Sequence, residues 1–218
     1  MTEPKRLVEE LVRANVAAPW VERAVEAAQA PGAVAFRALF ASAARRLGER
    51  AGERVPAPVA LSTLARPHLT LTDFARLFLL LVALEHVTPG DAAAFVLQSF
   101  EAGEIGEQES VLRTLSLLPE PGRFVETGVS ACRTNAKRVF EAIACDNPFP
   151  AAYFPELNFN QMVMKALFME APVARIEGLA ARRTPELLRM ARDYASERRA
   201  AQRAVPDDLA IILGAPHR

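Results

Sequence analysis

The chain is poor in the residues that usually announce chemistry: two cysteines, three histidines and one tryptophan in 218 positions. Cys132 and Cys145 form no CxxC pair and no His/Cys cluster with metal-ligand spacing, which excludes zinc-ribbon and thioredoxin-like motifs. They read as buried free thiols of a reducing cytosol, and the expected location is cytoplasmic. His68, His86 and His217 are far apart in sequence, and with no other ligand cluster neither a metal nor any other cofactor is expected. Lys plus Arg and Asp plus Glu both number 26, so no net field favours nucleic acid, and no nucleic-acid partner is expected. The longest apolar run, Leu77 to Leu84, spans eight residues. A bilayer-spanning helix needs about 20, so this run reads as the most buried helix of a core. The first residues, MTEPKRLVEELVRANV, carry charges throughout and read as a first helix rather than a secretory signal.

Catalytic templates are also missing. There is no GxSxG, HExxH, GxxxxGK[ST] or strand-linked GxGxxG. The lone adjacent aspartate pair, Asp207-Asp208, lies near the end of the sequence, whereas a diphosphate-clamping Mg²⁺ site needs several converging carboxylates. Glu85-His86 facing Asp91 across a turn reads as a helix-end ion pair rather than a catalytic base.

Ala, Leu, Arg and Glu dominate what is there, and apolar residues recur at three- and four-residue spacing, as in Leu7, Val8, Leu11 and Val12. Thr88-Pro89 and Thr184-Pro185 place a capping threonine before a first-turn proline. Pro19, Pro31-Gly32, Pro56 with Pro58, Pro119 with Pro121-Gly122, and Pro148 with Pro150 act as breaks. The pattern predicts helices over 4–17, 20–29, 32–49, 59–65, 73–87, 89–102, 107–117, 121–133, 135–145, 158–169, 173–181 and 185–203, and no sheet. With 51% hydrophobic residues there is enough apolar mass for one sizeable core. The expectation is an all-α single domain, an irregular stack of antiparallel helical hairpins like a short α-solenoid without a strict repeat. Its sections would be N-terminal helices over 1–58, a hairpin core over 59–205 and a tail over 206–218, with a short helical turn in the tail.

Residues 145–160 break the pattern, packing three prolines, four aromatics and three asparagines into sixteen positions. Prolines stiffen such a loop, which can then hold aromatic side chains in place at small ordering cost. On the helix that follows, Asn158, Gln161 and Lys165 share one face by spacing. Two alternatives stand: Asn158 caps the helix while the others face solvent, or the group forms a binding surface beside Tyr153 and Phe154. Arg133, Asn135, Lys137 and Arg138 add polar groups just before the loop, with Thr134 or Asn135 as cap of the next helix. Further on, Arg189, Asp193 and Glu197 fall four apart, and Tyr194 with Arg198 makes a neighbouring row. Residues 173–205 hold eight arginines against four acids, and 101–126 six acids against two arginines. The basic stretch is either a solvated helix surface or a face for a phosphate or acidic partner.

Several strings resemble the EboA-domain family: Leu115-Ser-Leu-Leu-Pro119, Arg133-Thr-Asn135, Phe140-Glu-Ala-Ile-Ala144, Asn147-Pro-Phe-Pro150, Tyr153-Phe154, Phe159 to Phe168 (FNQMVMKALF), Ile176-Glu-Gly-Leu179, Pro185 to Met190, and Asp193 to Ala201 followed by Arg203-Ala-Val-Pro206. The resemblance is strong over about residues 110–206, weaker before, and fades after Pro206. It implies a bacterial or plastid protein encoded beside a UbiA-like prenyltransferase, a TIM-barrel metal-dependent hydrolase, a dehydroquinate-synthase-like cyclase and a sugar-isomerase-like protein. That company implies a prenylated, polyol-derived metabolite, and no family catalytic residue carries over. The resemblance groups Asn147, Tyr153, Asn160, Gln161, Lys165, Asp193, Tyr194, Glu197 and Arg198 within its most specific strings. With Arg133 and Asn135 they form the candidate ligand or partner patch. The functional expectation is a non-enzymatic accessory protein of secondary-metabolite biosynthesis or export, binding a small-molecule intermediate or a pathway enzyme such as the prenyltransferase or the hydrolase. The alternative is an enzyme using Asp193, Glu197 or Lys165 as acid or base. Peripheral membrane contact through the arginine-rich helix is a third class.

Overall fold

The computed structural model describes residues 3–29, 34–58, 61 and 69–214. Among these lie twelve α-helices: α1 (Glu3–Asn15), α2 (Ala18–Ala28), α3 (Val34–Leu47), α4 (Leu71–Leu84), α5 (Ala92–Glu101), α6 (Ile105–Thr114), α7 (Val125–Ala131), α8 (Lys137–Ala144), α9 (Phe149–Tyr153), α10 (Glu156–Phe168), α11 (Pro185–Ala200) and α12 (Leu209–Leu213). The all-α reading is met, and the described residues contain no strand, only an isolated bridge between Arg54 and Thr70. All of the helix expected over 59–65 except Leu61, together with His68 and His217, falls outside the described residues. Contacts gather the chain into two compact units, Met1–Gly128 and Val129–Arg218.

In the first unit α4 is the axis, with α1, α2, α3 and α6 packed against it. Every residue from Leu71 to Ala83 is buried, as the apolar run predicts. Each large side chain there contributes roughly 1.5–3 kcal/mol of burial. The start of α4 is a capping box. Thr70 Oγ1 accepts from the Asp73 amide at 3.2 Å, and the Asp73 carboxylate accepts from the Thr70 amide at 2.9 Å. Asp73 and Arg76, on the inner turns of this apolar helix, are 2% and 5% exposed. Arg76 Nη1 donates to Ser110 Oγ at 3.0 Å, and Ser110 Oγ donates to Asp73 Oδ1 at 2.7 Å. Arg76 also donates to the carbonyls of Phe40 (3.1 Å) and Gly106 (2.6 Å), tying α3, α4 and α6 together. Burial pushes the Arg76 pKa down against the pull of Glu107, Asp73 and Glu109. A desolvated ion pair is tolerated only when its remaining valences are filled in this way.

The second unit begins inside α7 and packs α10 against α8 and α11, and α12 against α11. Thr184 caps α11, accepting from the Leu187 amide at 3.2 Å with Pro185 in the first turn, as its sequence signature predicts. The ends of α10 and α11 close on residues in the left-handed region, Glu170 (φ 51°) and Gln202 (φ 55°). Ala171 N then reaches Ala166 O at 2.9 Å and Arg203 N reaches Arg198 O at 2.8 Å, the Schellman pattern.

Several expected boundaries are corrected. The helix placed at 89–102 begins at Ala92, because the Thr88 hydroxyl donates to the Asp91 carboxylate at 2.6 Å and residues 88–91 close a turn instead. Pro19 is no break; it occupies the first turn of α2, where its missing N–H costs nothing. The span 121–133 divides into a 3-10 turn over Pro121–Phe124 and α7. The span 173–181 holds only a 3-10 turn at Val173–Arg175 followed by turns. Gly178 explains the failure there, since its φ of +70° cannot continue a helix.

Candidate functional site

The stretch read as a stiff aromatic loop is itself partly helical. Asn147 Oδ1 accepts from the Phe149 amide at 3.0 Å, and its Nδ2 donates to Ala142 O at 2.8 Å, so this buried side chain stitches the end of α8 to the start of α9. Phe149, Phe154 and Phe159 are core residues, and Tyr153 is half-buried with its ring 5.0 Å from that of Phe149. Arg182, which the sequence did not single out, holds the segment down. Its guanidinium donates to the carbonyls of Ala151 and Phe154, both at 2.7 Å, and lies 4.6 Å from the Phe159 ring centroid. The only sequence signal for it was the Arg182-Arg183 pair ahead of the Thr184 cap. Arg183 does similar work, donating to the carbonyls of Ile212 (2.8 Å) and Ile211 (3.1 Å) at the end of α12.

With the loop packed, a cleft opens along α10. It has a volume of about 240 Å³ and is lined by Val129, Cys132, Arg133, Phe154, Asn158, Gln161, Met162 and Lys165. That is below the roughly 300–1,000 Å³ of a drug-sized pocket and suits a small metabolite. Pro155 precedes the first turn of α10, so Asn158 is not the cap but the third helical residue, one turn from Gln161 and Met162 and two from Lys165. Lys165 Nζ is anchored by Thr134 O at 2.7 Å and sits 5.7 Å from the Phe140 ring centroid. Thr134 Oγ1 accepts from the Ala136 amide at 3.1 Å and shapes the turn into α8, while Asn135 stays exposed. Burial pushes the Cys132 thiol up to about 12, against the opposing pull of Lys165 and Arg133. The thiol is therefore a neutral wall and not a nucleophile.

Of the candidate patch, then, Arg133, Gln161 and Lys165 meet in this cleft. Tyr194 and Arg198 line a different concavity of the same unit, about 410 Å³, with Phe168, Glu170, Asp207 and Asp208 among its walls. There Phe168, 67% exposed, meets Tyr194 edge-on at 5.0 Å, and Arg198 donates to Ala204 O at 2.8 Å. Asn160 is buried, its Nδ2 turned to Thr184 Oγ1 at 3.4 Å and its Oδ1 without a partner among the described residues. Asp193 and Glu197 are exposed and line neither concavity, and Asp193 pairs with Arg189 at 2.7 Å. Arg189 also pairs with Glu186, whose pKa is held down by that hydrogen bond. The basic stretch is largely spent internally: Arg175 pairs with Asp146, and Arg182, Arg183 and Arg198 serve carbonyls. Glu85 finds Lys5 rather than the residues across its turn.

Fold and site together define a class: an all-helical protein with a small polar cleft, in which no group of three His, Cys, Asp or Glu among the described residues could hold a metal and no helix among them is long and apolar enough to cross a membrane. The family model described as "Metabolite traffic protein EboA" matches residues 6–214, and the chain belongs to that family. The match reaches well beyond the strings at 110–206, taking in the first unit and α12. Searches among curated proteins and among solved structures found no match.

Proposed function

We propose that this chain is a non-catalytic accessory protein that binds a small metabolite in the cleft along α10, within a bacterial pathway for a prenylated, polyol-derived secondary metabolite. One observation carries the reading. The cleft brings Arg133, Lys165 and the Asn158 and Gln161 amides together, with no carboxylate in its lining and neither amide bonded to another side chain or backbone group among the described residues. Gln161 and Arg133 are exposed and Asn158 is half-buried, so core packing does not call for the arrangement, and a few convergent polar groups in a concavity are what orients a small ligand. The description "metabolite traffic" supports a role in handling a small molecule, and the partners proposed for that role are the pathway enzymes.

The test is retention. Protein purified from a cell carrying the pathway, measured by native mass spectrometry, is expected to hold a small molecule that is absent from Gln161→Trp, whose indole fills the cleft from an exposed position. Equal retention by both proteins, or retention by neither, overturns the assignment.

A further inference from the structure

The lining of the cleft also narrows the ligand. Resting on the reading above, we infer that the cleft takes an organic anion, a phosphate or carboxylate head carried on a short apolar body. Two cations, Arg133 and Lys165, face a lining that contains no aspartate or glutamate. Lys165 is held in position, since one of its three N–H donors is fixed on Thr134 O at 2.7 Å and the other two remain for a guest. Donors positioned beforehand bind an anion at lower ordering cost, and charge-assisted hydrogen bonds are about twice as strong as neutral ones. The Asn158 and Gln161 amides add neutral donors one helical turn apart. Val129, Phe154 and Met162 complete the wall with apolar surface, which a bare inorganic ion would leave uncovered.

Two comparisons within the molecule sharpen the choice. The larger concavity beside Tyr194 carries Glu170, Asp207 and Asp208 against a single Arg198, which repels an anion. In the first unit, a pocket of about 190 Å³ walled by Phe36, Phe40 and Phe95 sets Glu107 against Arg37. Of these three concavities, the α10 cleft is the one whose charges are all positive. The field is felt inside it: Arg133 and Lys165 both favour the Cys132 thiolate, although burial outweighs them.

The inference is tested by calorimetric titration of the full chain with hexyl phosphate, hexanoate and hexanol, with the Asn158 and Gln161 side-chain amides followed by NMR. Either anion is expected to bind at least about tenfold more tightly than the alcohol, to shift both amides, and to weaken as salt rises. Lys165→Gln and Arg133→Gln should each lose about tenfold in affinity, while the distant Arg189→Gln keeps it; equal melting temperatures show that the variants fold. Preference for hexyl phosphate or for hexanoate identifies which anion the cleft takes. Hexanol binding as well as the anions overturns the ligand class and leaves the cleft as a binding site. Amides unmoved by every probe overturn both readings. Binding to phosphatidic-acid vesicles without binding of hexyl phosphate overturns a free metabolite as the source of the head group.

Discussion

The two units treat buried polarity in opposite ways. In the first, Asp73, Ser110 and Arg76 form a closed chain whose ends are satisfied by Thr70 and by two backbone carbonyls. In the second, Arg182 and Arg183 also satisfy carbonyls, yet a cleft keeps two amides without partners among the described residues and a Lys165 ammonium with one donor spent on Thr134 O. A network of this kind rigidifies packing, since Arg76 Nε and Nη1, Ser110 Oγ and the Asp73 carboxylate are all bonded within it. An open one is a place where a guest completes the count. The difference separates polar residues that hold the fold from polar residues available for binding, which residue type alone does not do.

The largest effect that bears on this contrast should come from Asp73→Ala. It strips the buried carboxylate that Ser110 links to Arg76, that caps α4 and that Arg113 approaches at 3.8 Å, leaving Arg76 with Glu107 and Glu109 alone, so the expected loss is about 3 kcal/mol in urea unfolding. A loss below about 1 kcal/mol would mean that the network is not closed. Next comes Gly178→Ala: the residue sits at φ +70°, and an added Cβ would lie 2.6 Å from Ala151 Cβ, against the segment that Arg182 clamps. The expected cost is roughly 2–4 kcal/mol, from left-handed strain plus overpacking. Gln161→Ala probes the open side. An exposed position that makes no bond in the fold should change stability by no more than about 0.5 kcal/mol, while ligand retention falls.

The thiols give the comparison a pH axis. Burial holds Cys132 up to about 12 and Cys145 up to about 11, against an ordinary value of 9.0. A folded pKa above the unfolded one stabilises the fold fully below pH 9, and that contribution is lost as pH rises through the folded values. Wild type should therefore lose stability faster than Cys132→Ser between pH 9 and 11, and both thiols should resist iodoacetamide at pH 8 until the chain is unfolded. A gain is expected from Gln202→Gly, which removes a left-handed non-glycine residue at the end of α11 and should raise stability by about 0.5–1 kcal/mol.

Much of this was legible in the chain. Periodicity and proline placement marked α1 to α4, α10 and α11, and the spacing of Asn158, Gln161 and Lys165 marked the face that lines the cleft. Local signals misled where a side chain had two uses. Thr88 spends its hydroxyl on Asp91 rather than on a helix amide, and Asn147, grouped with the patch, spends its amide on Ala142 and Phe149. Asp73 three residues after Thr70 spells a capping box, a signal present in the sequence but outweighed by the apolar run beside it.

By itself, then, the sequence determined most of the helices and the apolar axis of the first unit, because helical period, caps and burial preference act over a few residues. Tertiary structure decided which polar groups are spent. Whether Arg182 reaches two carbonyls, or Lys165 the carbonyl of Thr134, depends on residues about thirty positions away brought close by packing. The aromatic segment from Asp146 to Asn160 looked like the contact surface. Folded, it supplies Phe154 and Asn158 to the cleft and otherwise packs its phenylalanines into the core, because burying them gains more than displaying them.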